Sequence, residues 1–439
     1  MMTTRTEIRN ERKQHAVGQG FFHSGTLLHD GAVKLRYVYD CGAMKKHSAA
    51  LKRSIASLLA DVGGDRRLEL LFISHSHADH VSGLPILLDA KKGMSVDTII
   101  LPLFNVMDRL IEFAKCASHD PAVRGDEFYR EFVVDPVTAL SRFNPRQIML
   151  ISSGGPGDPD GPSFDRGPEF RGPVVAGLEH DAARSLWKLS GSGNVDAVQE
   201  AENRVVARMT DHVAVVASPV PSGSISWLFS PYIDPAVSAK SARFQTELLK
   251  SLNQGLTAGA RIKKAKFQVW LDNPLNLKDL VVNKVHELVQ AFNAVSADLN
   301  TTSVCLYSGP LPDERGHTGH HGTFGRWSVN GNDRVAWLAT GDADLKSGSR
   351  RKPFLRHYRR LTSKVSTLTL PHHGSENNFD VELLTAIEPV HFVAAADRFS
   401  KWRHPGTGVL QAVASHGRFL SVVTSQSASE VTEVALLRR

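Results

Sequence analysis

Residues 75–80 read His-Ser-His-Ala-Asp-His, and they follow directly on the apolar run Leu68–Ile73. Four side chains able to ligate a cation thus fall within six positions. A short apolar run of this kind reads as a buried strand, so the cluster is delivered to one strand end. Imidazole and carboxylate suit zinc, and also manganese or iron. A tight loop after the strand can fold this spacing so that His75 and His77 face one metal while Asp79 and His80 face another. The rest of the chain must then supply the sheet that carries this loop and the groups that complete the site.

The flanking pattern predicts such a sheet. Val17–Tyr39 reads as a pair of strands that stops at the turn Asp40-Cys41-Gly42. Ser48–Val62 places Leu51, Ile55, Leu58, Leu59 and Val62 on one helical face and ends at Gly63-Gly64. Val81–Ala90 continues as a helix and Thr98–Leu103 as a strand. From Asn105 to Leu299 the chain is rich in predicted helix, including an amphipathic stripe over Val281–Leu299. A loop dense in Gly, Pro and Asp interrupts it at Ser152–Pro173. Strands return at Val304–Tyr307, Val335–Ala339, Val365–Leu370 and His391–Ala395. The last three lead into Thr340-Gly341-Asp342, His372-His373-Gly374-Ser375 and His404-Pro405. Strands that end repeatedly in His and Asp point to a site built at one sheet edge. The expected organisation is a catalytic domain from residues 1–104 and 300–439, with 105–299 inserted as a cap.

Composition narrows the function classes. With 439 residues, 41% of them hydrophobic, the chain can bury a sizeable core. Lys and Arg number 52 against 45 Asp and Glu, a formal charge of +7, without any dominant basic block. That balance suits an anionic substrate such as nucleic acid or another phosphate ester. Cys41, Cys116 and Cys305 are too few and too far apart for a disulfide framework or a Cys-rich zinc module. No run approaches the ~20 apolar residues of a membrane span. The polar start Met1–Gln14 lacks the apolar core of a signal peptide, so a cytoplasmic location is expected.

The motif His-x-His-x-Asp-His at 75–80 resembles the signature of the metallo-β-lactamase superfamily. The resemblance implies an α/β fold, an αββα sandwich here carrying a large, mostly helical insertion. It implies that Asp342 is a carboxylate bridging two cations. It implies that His372 is the last metal-binding histidine, with His373 facing the substrate, although the two neighbours could exchange roles. Gly316-His317-Thr318 resembles a Gly-His-Thr motif of the superfamily, so His317 is the expected third histidine of the first metal; His320 and His321 are its rivals. A narrower series adds Gly18-Gln19-Gly20, Asp40-Cys41-Gly42, Asn300-Thr301-Thr302-Ser303-Val304 and His404-Pro405. It is similar to the hydrolase domain of ComEC DNA-uptake proteins and their soluble relatives. This chain departs from that pattern in lacking a transmembrane channel and in its long middle region.

The implied activity is hydrolysis of a phosphodiester, nucleic acid included, by water activated on one or two zinc or manganese ions. His75, His77 and His317 would hold one ion, Asp79, His80 and His372 the other. His373 or His404 would protonate the leaving oxygen. Cations near His404, namely Arg398, Lys401 and Arg403, would suit a phosphate. An ester, thioester or lactone hydrolase would use the same donors. A regulatory module with a vestigial metal site would instead use the 105–299 region to bind a protein partner.

Overall fold

The computed structural model describes residues 7–155, 158–164, 187–201, 204–218, 225–234, 238–295, 302–314, 317–322, 334–398 and 403–438. Their strands are, in chain order, β1 (Glu7–Gln14), β2 (Phe22–His29), β3 (Ala32–Cys41), β4 (Arg67–Phe72), β5 (Ser95–Pro102) and β6 (Gln147–Ser152). There follow β7 (Trp187–Gly191), β8 (Val195–Ala201), β9 (Arg204–Thr210), β10 (Val213–Ala217), β11 (Trp227–Asp234) and β12 (Ser303–Pro310). The last are β13 (His317–Gly322), β14 (Ala336–Ala339), β15 (Val365–Thr369), β16 (His391–Ala395), β17 (Phe419–Val423) and β18 (Val431–Arg438). They form two mixed sheets. One runs β13-β18-β1-β2-β3-β4-β5-β6-β9-β8, the other β17-β16-β15-β14-β12-β11-β10-β7.

The two-residue period of the strands assigns each apolar side chain to a layer. In and just after β4, Leu70 and Phe72 enter a core shared with Phe229, Leu306 and Trp337 of the second sheet. Leu71 and Ile73 turn the other way and pack with Leu51, Ile55, Leu110, Leu248 and Leu288. Those last residues lie on the helices Ser48–Val62, Val106–His119, Ser238–Leu252 and Val285–Val295. Behind the second sheet, Leu338 and Leu368 pack with Phe354 and Leu383 of the helices Gly348–His357 and Glu382–Ile387. The layers therefore run helices, sheet, sheet, helices. No helix among the described residues is long and apolar enough to cross a membrane.

Several expectations need correction. The 105–299 region is not a separate cap: β6, β8 and β9 extend the first sheet, and β7, β10 and β11 extend the second. Its helices, Val106–His119 among them, do lie over the first sheet, because their apolar faces join that sheet's outer core. The stripe at 281–299 breaks at Lys284 into Pro274–Asn283 and Val285–Val295, and Leu299 lies outside the described residues. The helix expected at 81–90 is two short turns, Ala78–Val81 and Leu84–Leu87. The polar segment Glu7–Gln14 is an inner strand between β18 and β2. Of the loop expected at 152–173, residues 156–157 and 165–173 lie outside the described residues, as do Gly316, Lys401 and the pair Asn300-Thr301.

Candidate metal centre

Strand ends bring the chemistry together. β3 and β4 are parallel neighbours, and so are β14 and β15, with β16 beside them. The C-terminal ends of β3 and β4 carry Asp40 and the 74–80 loop, and those of β14 and β15 carry Asp342 and His372-His373. In parallel sheets these ends are the usual place for a ligand. Bonds between the sheets register the two halves: Val304 N donates to Ser74 O at 2.8 Å, Tyr39 Oη to Val304 O at 2.6 Å. Asp342 N donates to Ser303 Oγ at 3.1 Å.

Asp342 sits at the centre, buried, and its two oxygens face different groups. Oδ2 lies 3.3 Å from His75 Nε2, 3.5 Å from His77 Nδ1 and 3.5 Å from His372 Nε2. Oδ1 lies 3.8 Å from His80 Nε2 and 3.9 Å from His373 Nε2, while His373 Nε2 is 3.7 Å from Asp79 Oδ2. Donors on one tetrahedral cation at ordinary zinc bond lengths stand roughly 3.3 Å apart. Three donor groups, His75–His80–Asp342, His75–His77–Glu112 and Asp79–His80–His373, are compact enough to hold an ion.

The hydrogen bonds behind these donors set their tautomers. Ser74 N and Oγ donate to Asp40 at 2.7 and 2.6 Å. With its proton so committed, Ser74 Oγ accepts from His75 Nδ1 at 2.8 Å. His80 Nδ1 donates to Asp40 Oδ2 at 2.8 Å, and His373 Nδ1 to the Ala395 carbonyl at 2.7 Å. With Nδ1 of each ring donating behind, Nε2 is the nitrogen each ring turns to the cluster and could offer to a cation. His77 is turned the other way: its Nε2 contacts Glu112, leaving Nδ1 toward Asp342 and 2.9 Å from His75 Nε2. His80 Nε2 is buried with no hydrogen-bond partner among the described residues. A native structure rarely leaves such an atom idle, and an ion at this point would account for it. The donor set therefore fits a divalent cation on either side of Asp342.

The charge balance agrees. Burial favours the neutral form of Asp342, but the nearby His372 and His75 outweigh it and hold its carboxyl well below the usual carboxylate range. Burial likewise raises Asp79, but the nearby His373 and the charge of His80 outweigh it and hold it well below the usual carboxylate range. Burial lowers the His80 imidazole, yet Asp40, Asp79 and Asp342 push it up to about 9. Ionised carboxylates thus crowd a buried space that calls for positive charge.

The expected site residues fare unequally. His75, His77, Asp79, His80, Asp342, His372 and His373 converge. His372 faces the Oδ2 side and His373 the Oδ1 side, so His373 takes the place beside Asp79 and His80 that was expected of His372. Both residues have left-handed backbone, φ 47° and 58°, which swings consecutive side chains to opposite flanks. His373 Nδ1 is committed to the Ala395 carbonyl, and its Nε2 faces Asp79 and Asp342. His404 lies over the pair, its ring 5.8 Å from His372 and 6.4 Å from His373. Burial, aided by His373, pushes it down to about 4, so its proton-giving form is scarce at neutral pH.

His317 does not reach the cluster. It opens the edge strand β13, opposite Arg438 of β18, four strand spacings from β3 or roughly 19 Å across the sheet. His320 belongs to another network, 3.2 Å from Glu433 and 3.3 Å from Arg12, and the backbone of His321 pairs with Val434. Arg398 and Arg403 are exposed. Sequence reasoning missed Asp40 and Glu112 as site residues. Asp40 had a signal, an acidic residue at a strand end; Glu112, inside an amphipathic helix, had none. The chain matches no protein-family model and no curated protein.

Proposed function

We propose that this chain is a metal-dependent hydrolase of the metallo-β-lactamase type, an αββα sandwich that cleaves a phosphodiester. One observation carries the reading: Asp342 stands between two sets of donors drawn from distant parts of the chain, with one carboxylate oxygen toward each. His75, His77 and His372 with Oδ2 would hold one cation, and Asp79, His80 and His373 with Oδ1 the other. Zinc fits the imidazole-rich set best, and manganese fits it also. Cations held there supply Lewis acidity, making water nucleophilic near neutral pH and stabilising charge on phosphoryl oxygen.

The protein's own groups prepare this chemistry. Asp40 and Ser74 lock the rings of His75 and His80, and the Ala395 carbonyl locks His373, so no donor has to rotate. His372, Asp79 and the rim residue His404 are the partly exposed members, which marks the side from which substrate enters. His404 offers a ring nitrogen to a substrate oxygen there. The formal charge of +7 favours a polyanion over a neutral ester.

Metal analysis of the purified protein, with turnover of bis(p-nitrophenyl) phosphate, tests this. Wild type is expected to retain metal and turn over. Asp79→Ala is expected to lose about 100-fold or more in metal affinity or rate. A metal-free wild type, or full activity in the variant, would remove the proposal.

A further inference from the structure

Three of the donor rings are held from behind by neighbouring oxygens: Ser74 Oγ for His75, Asp40 for His80 and the Ala395 carbonyl for His373. His77 is held differently. Its Nδ1 stands 3.5 Å from Asp342 Oδ2, and its Nε2 lies in close contact with Glu112 Oε2. Glu112 comes from the helix Val106–His119, in the region expected to be a separate cap. That helix turns Asp108, Glu112 and Lys115 to one face, at i, i+4 and i+7. Asp108 is engaged within its own turn, where its Oδ2 accepts from Asn105 Nδ2 at 2.6 Å.

Glu112 is 1% exposed. Apart from the contact with His77, neither of its oxygens has a partner among the described residues. A carboxylate taken out of water is costly unless a donor or a cation shares its charge. The contact with His77 therefore carries the reason for a glutamate at this position. The charge around Asp342 is also uneven. Asp79 stands on the Oδ1 side, beside His373. The Oδ2 side gathers the imidazoles of His75, His77 and His372, with no carboxylate of its own. Glu112 adds one to that side at one remove, through the His77 ring, and with His75 and His77 it forms a compact group of donors.

We infer that Glu112 is a positioning residue for the cation on the Oδ2 side: it fixes His77 with the proton on Nε2 and the lone pair on Nδ1, and it supplies the negative charge that this side's imidazoles lack. This rests on reading the cluster as a centre for two cations. The nitrogens of an imidazole point apart, so a carboxylate on Nε2 stands behind the ring and leaves Nδ1 to the ion. A carboxylate so placed orients the ring and makes it a better donor. Asp40 stands behind His75 and His80, one on each side of Asp342, whereas Glu112 stands behind the Oδ2 side alone. The helix expected to be a cap is therefore a support of one cation and not of the other.

The test uses the purified full chain and the variants Glu112→Ala and Glu112→Gln. Zinc is titrated against a competing chelator, which reads the two ions in turn. Glu112→Ala is expected to bind one ion about 10- to 100-fold more weakly and the other as wild type does. Glu112→Gln keeps an accepting oxygen without the charge. It is expected to fall between, and it carries the comparison if the alanine variant does not fold. Proton–nitrogen correlation spectra of the metal-free chain, recorded where the ring is neutral, read the His77 tautomer. The proton is expected on Nε2 in wild type and Glu112→Gln, and shared between the two nitrogens in Glu112→Ala. Unchanged affinity for both ions in either variant, equal weakening of both, or a His77 proton on Nδ1 in wild type would each overturn the inference. So would a crystal structure of the zinc-loaded chain with a Glu112 oxygen bonded to the ion. A wild type that binds no zinc would remove the proposed function, and the His77 tautomer would still decide whether Glu112 fixes that ring.

Discussion

Asp40 orders the candidate centre from behind its donors. Through Ser74 and directly it fixes the rings of His75 and His80. Asp40→Asn keeps the shape but replaces an oxygen that accepts from both Ser74 and His80. The expected outcome is a 10- to 100-fold loss of metal affinity, by the usual worth of such orienting groups, about 10- to 100-fold. A competitive chelator titration measures it, and unchanged affinity would show that Asp40 orients nothing. At this scale the 75–80 cluster was legible because its donors are contiguous, so local spacing alone brings them together. The order of His372 and His373 was not, because neighbours in sequence diverge according to backbone dihedrals that the residue types do not announce. His317 misled for a related reason: a Gly-His-Thr string carries no information about which sheet edge will hold it.

Elements meet closely around the loop, and glycine makes this feasible. A Cβ at Gly42 would stand 2.5 Å from the Asp79 carbonyl carbon and 2.6 Å from that of His80. One at Gly374, whose φ is +84°, would stand 2.8 Å from Pro405 Cβ, so the turn after His373 can lie against the segment bearing His404. Gly42→Ala must therefore push the Asp79–His80 turn outward. The variant is expected to lose about 1–3 kcal/mol of stability and to bind metal poorly at the Asp79 side. Urea unfolding and metal stoichiometry together check this; wild-type values in both would mean the turn can yield. The helix Val106–His119 begins at Asn105, whose side chain accepts from Asp108 N at 2.8 Å. That cap sets the start of the helix, and the start sets which face presents Glu112 and Lys115. The strand and helix patterns around it were readable as local periodicity. Membership of β6–β11 in the two main sheets was not, since strand pairing joins residues far apart in the chain.

Across the whole molecule, a buried ionic network ties the sheets together away from the candidate metal centre. Arg12 Nε donates to Glu433 Oε2 at 2.7 Å, Arg12 NH1 to Val335 O at 2.9 Å, and Arg12 NH2 to Ser366 Oγ at 3.0 Å. Thr367 Oγ1 donates to Glu433 Oε1 at 2.6 Å. The first and last strands of the first sheet thereby bond to the second sheet. Arg12→Met would leave the buried Glu433 without its guanidinium partner, an expected cost of about 3–5 kcal/mol in denaturant unfolding; a change near zero would show the pair to be dispensable. Burial raises the Glu433 carboxyl, but Arg12 and His320 outweigh it and hold it well below the ordinary value in the folded state. A depressed folded value means stability that is present above the unfolded pKa of about 4.3 and fades as pH falls through the folded one. The stability gap between wild type and Glu433→Gln is therefore expected to narrow in acid, and a gap that widens there would reverse the assignment.

Local order in this chain carried a loop of potential cation ligands behind a strand, a series of strands ending in Asp and His, and a helix-rich middle. Those follow from periodicities and spacings a few residues long. Which histidine faces which oxygen of Asp342, why Asp40 and Glu112 matter, and how the polar Glu7–Gln14 becomes an inner strand depend on contacts between segments tens to hundreds of residues apart. Such contacts form only when two sheets stack and bury their shared face, so no short window of residues could encode them by itself.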